Sequence, residues 1–279
     1  RVEREHAMKK TSIATLFVLM LLLVACQLVE KEAEKRVGKG NVEMAKKVGS
    51  GLQDVYNSFQ DVSIEDERAL GETVALQAYA TPGCGTPIEN PNLMSFINLM
   101  TNAIAQNSDR PMIPYHTCVI KSDDFNAFSA PGGYIFLTSA LVMAMDSEDE
   151  LACVIGHEIA HVARKHALCS MKRAKRLEGF AKISSAAFNS NFGEFEKLVK
   201  NMTQEVFVHN FDLEMETDSD LRGIRYAMAT GYDPKSFLDF LNKLKKMENS
   251  KSTLASHPHA DARIEKVNEE LKKIAEELK

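Results

Sequence analysis

His157 and His161 stand four residues apart, with Glu158 next to the first, in the order His157-Glu158-Ile159-Ala160-His161. Four residues make little more than one helical turn, so on a helix both imidazoles face the same way and can converge on one metal ion. Glu158 sits about 100° further round than His157, where its carboxylate reaches a water beside the metal without binding the metal itself. Two nitrogen donors and a nearby general base are the parts of a zinc hydrolase.

This chemistry needs a helix, and the flanking residues predict one. Ser147 followed by Glu150 forms a capping box at its start, and Leu151, Ile155, Ile159 and Val162 make an apolar stripe at helical spacing. The histidine pair lies roughly a third of a turn from the centre of that stripe. Gly156 and Ala160 allow another backbone to come close. The expectation is a buried helix with a second, functional face.

A catalytic zinc takes three protein donors and leaves one position open. A continuation HExxHxxGxxH would need glycine at 164 and histidine at 167, where this chain has Arg164 and Ala167. His166 follows His161 by five residues, about 140° round a continuous helix, so it is expected to face elsewhere. An acidic side chain from another helix remains. The segment LEMETDSDLRG at 213–223, with Leu221, Ile224 and Met228 as its expected core face, offers Glu216 with Asp220 one turn later, and Glu214 with Asp218 at the same spacing. In either pair one carboxylate can bind metal while the other hydrogen-bonds a ligand histidine. Glu178 and Glu196 are further candidates for the third donor, and spacing alone leaves the choice open. Cys153, one turn before His157, reads as a buried thiol rather than a ligand.

The rest of the chain sets the context. Its 279 residues are enough for a real core, and 44% hydrophobic with 26% charged residues is ordinary globular composition. The net charge of −5 carries no basic excess of the kind that binds nucleic acid. From Met8 two lysines precede an apolar run from Ile13 to Val24, ending Leu23-Val24-Ala25-Cys26. A charged start, a short apolar stretch and small residues before a cut describe a secretory signal, too short for a membrane span of about 20 residues. The ending resembles the lipobox of bacterial lipoproteins, which implies lipidation of Cys26 and a protein anchored on the periplasmic side of a bacterial membrane. Gln27 after the cysteine favours the outer membrane by analogy. The expected division is 1–25 as upstream residues and signal, 26–60 as a tether broken by glycines, and 61–279 as the catalytic domain. Within it, helices are expected from Ser63 to Tyr79 and from Pro91 to Gln106, the latter with Leu93, Phe96, Ile97, Met100 and Ile104 at core spacing. A short strand follows at Tyr115 to Lys121, and then strand, tight turn and strand from Asn126 to Thr138 around Pro131-Gly132-Gly133. Asn126, Ala127, Phe128, Ser129 and Ala130 are the expected edge, able to pair with an extended peptide substrate. No CxxC pair occurs, and Cys84, Cys118, Cys153 and Cys169 allow several disulfide pairings among which spacing does not choose. His116, His209 and His259 read as surface residues. No later run is long and apolar enough for a second crossing.

Taken together, Asn126-Ala127-Phe128 with Pro131-Gly132-Gly133, then the HExxH motif, then an ExxxD segment with glycine three residues later and Gly231-Tyr232-Asp233-Pro234, and finally Ser256-His257-Pro258 with Arg263, resemble the M48 family of zinc metallopeptidases. The resemblance spans about Asp61 to the C-terminus and is similar to the secreted, lipoprotein type. It implies an α+β, zincin-like fold, mostly helical with a small sheet beside the HExxH helix. In that family the aspartate of ExxxD stands three residues before the glycine, so Gly223 selects Asp220 and, with it, Glu216. The resemblance thus implies one zinc ion per chain held by His157, His161 and Glu216, with Glu158 as general base and Asp220 orienting a ligand histidine. It also places His257 near the active site, donating to an oxyanion or filling the open zinc position at rest. Ser219 and Asp218 depart from the alanine and glutamate usual there. The implied activity is a zinc endopeptidase acting on misfolded or unassembled envelope proteins. The rival reading is a lipid-anchored periplasmic chaperone whose proteolysis is secondary. Either way, protein partners and a membrane surface are expected.

Overall fold

The structure, a computed structural model, describes residues 63–80, 85–173, 199–203, 211–249, 257 and 259–279. Cys26, the expected signal and tether segments, Cys84, Glu178, Glu196, His209, Ser256 and Pro258 lie outside these residues. In chain order the elements are α1 (Ile64–Ala80), β1 (Thr86–Pro87), α2 (Pro91–Ala105), β2 (His116–Lys121), β3 (Ala127–Ala130) and β4 (Tyr134–Thr138). They are followed by α3 (Ser139–Ala144), α4 (Glu148–Ala163), α5 (His166–Arg173), α6 (Leu213–Thr230), α7 (Phe237–Asn249) and α8 (Ala260–Glu277). The class is α+β, as expected.

Local signals account for most boundaries. Ser63 Oγ accepts the Asp66 N–H at the start of α1, Asn90 Oδ1 that of Leu93 at α2, and Asp212 Oδ1 that of Met215 at α6. At α4, Ser147 Oγ accepts the Glu150 N–H at 3.1 Å, as a capping box requires. The reciprocal half differs. Glu150 reaches one residue further back to the Asp146 N–H and also binds Lys243 Nζ of α7.

The four strands form a mixed sheet in the order β1-β2-β4-β3, with β2 and β4 parallel and the outer pairs antiparallel. Pro131–Gly133 make a 3-10 turn between β3 and β4. Ala127 pairs with Leu137 and Ala130 with Tyr134, which leaves β3 on the sheet edge. Strand pairing begins a residue later than the sequence suggests, since Asn126 spends both its N–H and its carbonyl on Thr138.

Helix α4 runs through the core, and every residue from Glu150 to Ala163 is buried. Its stripe packs with Ile97, Met100 and Ile104 of α2 and with Ile135 and Leu137 of β4. Phe96, expected in that core, is 41% exposed, because it precedes Ile97 by one residue and so stands about 100° round α2, past the edge of the Leu93-Ile97-Met100-Ile104 stripe. On α6 the buried face is Met215, Glu216, Ser219, Asp220, Gly223, Ile224 and Ala227. Leu221 and Met228, expected there, lie on its flank and are only partly buried. Polar residues took the inner face.

The largest packing between described elements is α4 against α6, and glycine makes it possible. A Cβ added to Gly156 would stand 2.5 Å from the Gly223 carbonyl oxygen, and one added to Gly223 would stand 2.5 Å from the His157 nitrogen. Backbone meets backbone with no side chain between. A second anchor is Glu67 of α1, 1% exposed, whose carboxylate accepts both Arg110 Nη1 and Nη2 at 3.0 and 2.9 Å and the Gly132 N–H at 3.2 Å. Buried Lys165 Nζ is 3.5 Å from the same carboxylate. Because the Gly223 contact lies between rigid backbones, Gly223→Ala should cost about 1–3 kcal/mol of stability and weaken metal binding by parting the two helices, as denaturant titration and chelator competition would show.

Candidate metal centre

α4 presents His157 and His161 on one face, with their Nε2 atoms 3.0 Å apart. From α6, Glu216 comes to 3.6 Å of His157 Nε2 and 3.5 Å of His161 Nε2. His257, just before α8, completes the cluster, its Nδ1 3.3 Å from His157 Nε2 and 2.9 Å from Glu216 Oε1. One donor atom from each of these four residues lies within 4.8 Å of all the others, and all four residues are buried.

Those separations fit a small tetrahedral ion. Bonds of about 2.0–2.1 Å to nitrogen and oxygen put neighbouring donors about 3.3 Å apart, in the middle of the observed range. A calcium-sized ion would want six to eight oxygens at longer range. Charge agrees. Glu158, Glu216 and Asp220 are each 1% exposed or less, and the buried guanidinium among them belongs to Arg263. With His257 neutral, three carboxylates against one guanidinium leave two negative charges, which a divalent cation would neutralise in a medium where unpaired charge is costly; in the metal-free site a protonated His257 supplies part of that charge. Glu158 Oε2 is buried with no hydrogen-bond partner among the described residues. The residues present therefore fit a divalent metal.

Around the donors, charged groups stand close. His157 Nδ1 lies 2.8 Å from Asp220 Oδ1, near enough to pair, although the ring is not angled for a regular hydrogen bond. Arg263 grips Asp220 through Nε and Nη2, each at 2.7 Å, reaches Glu216 Oε2 at 2.8 Å, and donates from Nη1 to the His257 carbonyl at 2.9 Å. Phe211 stacks on the His161 ring with centroids 4.5 Å apart, and Phe237 lies 6.0 Å from that of His157. Burial pushes the pKa of His161 well below its usual value, and the charges on His157, His166 and His257 push the same way, so its lone pair is available. Burial works to raise the carboxyls of Glu216 and Asp220, but His257 and Arg263 outweigh it for the first, and Arg263 and His157 for the second, so both are held ionised. For His257 burial pulls the pKa down, yet Glu216 and Glu158 lift it to about 9. Proton and metal therefore compete for the same carboxylate surroundings.

The structure thus brings together His157, His161, Glu158, Glu216, Asp220 and His257, and sets β3 beside them, with His257 Nε2 3.1 Å from the Ala127 carbonyl. The Glu214/Asp218 alternative falls outside the donor set. Asp218 instead binds Arg164 and Arg222. Cys153 is buried, with its Sγ 3.7 Å from the Asp233 carbonyl. Cys153 is a free thiol, and His116 and His259 are exposed.

One expectation is corrected. His166 does not face elsewhere; its Nδ1 is 3.0 Å from His161 Nδ1. α4 stops at Ala163, and Lys165 takes a φ of 54°, which turns the chain so that His166 returns toward the preceding turn. The 140° rotation assumed an unbroken helix. Sequence reasoning also assigned no role to Arg263, Phe211 or Phe237. A buried arginine between two carboxylates leaves no periodic signal, though the arginine in the first turn of α8 was there to be seen.

The profile of peptidase family M48 matches residues 91–271, and the chain belongs to this family. Its zincin-like α+β fold is that of the described residues. The chain is 28% identical over 215 residues to the beta-barrel assembly-enhancing protease of Yersinia pestis, covering 73% of this chain and 43% of that protein. It is 24% identical to the metalloprotease LoiP of Escherichia coli K12 over 225 residues, covering 79% and 87% respectively. Against the mitochondrial metalloendopeptidase OMA1 of Schizosaccharomyces pombe identity is 22% over 216 residues, covering 76% and 63%. The chain thus spans less than half the length of the assembly-enhancing proteases it matches.

Since Arg263 pairs with both Glu216 and Asp220 at 0% exposure, Arg263→Met should destabilise the metal-free protein by about 3–5 kcal/mol. Thermal unfolding with and without chelator would check this, the metal-loaded form losing less because the cation supplies part of the missing charge.

Proposed function

We propose that the chain is a zinc-dependent metalloendopeptidase, with His157, His161 and Glu216 holding the ion and Glu158 as general base. The observation that carries this reading is the convergence of two imidazole nitrogens and one carboxylate beside a buried glutamate oxygen that has no other described partner. Imidazole donors favour zinc over magnesium or calcium. Zinc, when bound there, supplies the cation that polarises a scissile carbonyl and makes water nucleophilic near neutral pH. Glu158 takes the proton of the attacking water and passes it to the leaving amine, the two parts a positioned carboxylate can play. Asp220 fixes the ring of His157 and directs its Nε2 inward.

Substrate would enter along β3. The edge strand from Ala127 to Ala130, whose residues are all buried, would have to be uncovered before extended substrate backbone could add to it, with Asn126 pinning its start to Thr138. A small cavity beside His161, lined by Ser129, Ala130, Val162, Leu168 and Phe211, has room for little more than a water and would have to widen to receive a substrate side chain. Recognition through backbone is tolerant of sequence and suits unfolded chains. In the resting protein His257 bridges Glu216 and the Ala127 carbonyl, so an added strand must displace it.

The assignment of substrates to misfolded or unassembled envelope proteins is supported by the likeness to beta-barrel assembly-enhancing proteases and by the lipobox-like Cys26, which would anchor the protein on the periplasmic side of a membrane, the outer one by the residue that follows it. Among the described residues no helix is long and apolar enough to cross a membrane. On this reading 61–279 is the catalytic domain, 26–60 its tether and 1–25 the removed signal.

Glu158→Gln should retain zinc while cutting cleavage of an unfolded substrate such as casein by at least about 100-fold; cleavage at the wild-type rate would refute the proposed base. A Glu158→Gln chain with full cellular effect would assign that effect to chaperone-like binding. His257→Ala should keep the metal and alter turnover, rising if the ring blocks the resting site and falling if it serves the oxyanion; an unchanged rate excludes both roles.

A further inference from the structure

Asp220 holds the outer nitrogen of His157, and the outer nitrogen of His161 needs an equivalent. Its neighbour is His166, 2% exposed, with Nδ1 3.0 Å from His161 Nδ1 and 3.1 Å from Ser219 Oγ. The other nitrogen of His166, Nε2, lies 3.4 Å from Asp218 Oδ2. Asp218 accepts Arg164 Nε at 2.9 Å and Arg222 Nε at 2.9 Å. The three side chains stand in line, leading away from the donor set to a carboxylate clamped by two arginines.

We propose that His166 and Asp218 are positioning residues that hold His161 in its metal-binding tautomer, a histidine-relayed counterpart of the direct Asp220 contact to His157. This rests on the reading above that His161 binds through Nε2. A neutral imidazole has one N–H and one lone pair. With the Nε2 lone pair given to the metal, the proton of His161 must sit on Nδ1, and His166 Nδ1 is the acceptor within reach. His166 then carries its own proton on Nε2, facing Asp218. An ionised carboxylate only accepts, so Asp218 selects this tautomer; the Ser219 hydroxyl either shares the single His166 Nδ1 lone pair as a bifurcated contact or turns its proton elsewhere.

The reversed arrangement shows what the relay prevents. A proton on His166 Nδ1 would turn His161 Nδ1 into the acceptor and send the His161 proton to Nε2. There it would stand 3.0 Å from His157 Nε2 and 3.5 Å from Glu216, inside the donor set. Metal could not bind that tautomer. The relay therefore keeps a lone pair aimed at the ion, and the left-handed Lys165 is the backbone device that delivers it.

The test measures zinc affinity of the purified full chain by chelator competition. His166→Leu keeps bulk but lacks an acceptor and should weaken zinc binding about 10–100-fold. His166→Asn places Oδ1 near the position of the lost Nδ1 and should recover most of that loss, with the metal-free melting temperatures of the two variants alike. Wild-type affinity in His166→Leu, or equal weakening in both variants, overturns the proposal. Nitrogen-15 NMR of histidine-labelled wild-type protein with zinc gives an answer that does not depend on variants folding. The proposal expects His161 protonated at Nδ1 and His166 at Nε2, and a proton on His166 Nδ1 overturns it. Failure of the wild-type chain to bind zinc would instead bring down the underlying metal reading and this relay with it.

Discussion

The contact of the α4 and α6 backbones at Gly156 and Gly223 is the constraint from which the site follows. A side chain at either position would push the helix axes apart and spread the donors of a single ion. Because this contact falls one residue before His157 and seven after Glu216, it acts close to the metal cluster along both helices, and small changes in separation translate directly into donor distances. The polar inner face of α6 is tolerable only under this arrangement. Glu216, Ser219 and Asp220 leave water because each finds a charged or hydrogen-bonding partner on a neighbouring element.

Electrostatics then decides what the pocket can hold. Coulomb energies between groups a few ångströms apart rise several-fold away from bulk water, so the excess of buried carboxylate is a strong demand for cations. Arg263 answers part of it permanently, and it does so from the helix that follows His257. One side chain thereby ties the fourth donor to the third and to the aspartate behind the first. The remainder falls to a protonated His257 in the metal-free site or to a bound cation, and nitrogen donors on two sides narrow which ions can answer it.

Much of this could be read from the chain, for reasons that differ by element. The HExxH helix was legible because capping, stripe and motif fall within twenty residues and share one period. The strand and turn around Pro131-Gly132-Gly133 were legible because turn chemistry is local. Glu216 was not separable from Glu214 by spacing, since both pairs repeat one helical turn apart; the family resemblance to the position of Gly223 pointed to it, and the structure places it with the histidines. Phe96 and Leu221 were misplaced for the same reason: hydrophobicity marks a helix face only to within about one residue. His166 was misread because a single left-handed residue, Lys165, breaks a pattern that otherwise continues, and nothing about a lysine announces such a φ. Arg263 was invisible to periodicity because its value lies in partners more than forty residues away.

The anchor at Glu67 bears on how much chain the catalytic unit comprises. α1 precedes the residues that carry the family match, yet its carboxylate is what Arg110 and Lys165 turn to inside the protein. A shortened version beginning at the family boundary would take the Glu67 carboxylate away from Arg110 and Lys165. It would also loosen the very bend that brings His166 back to His161. The packed unit therefore begins ahead of the family match, at α1.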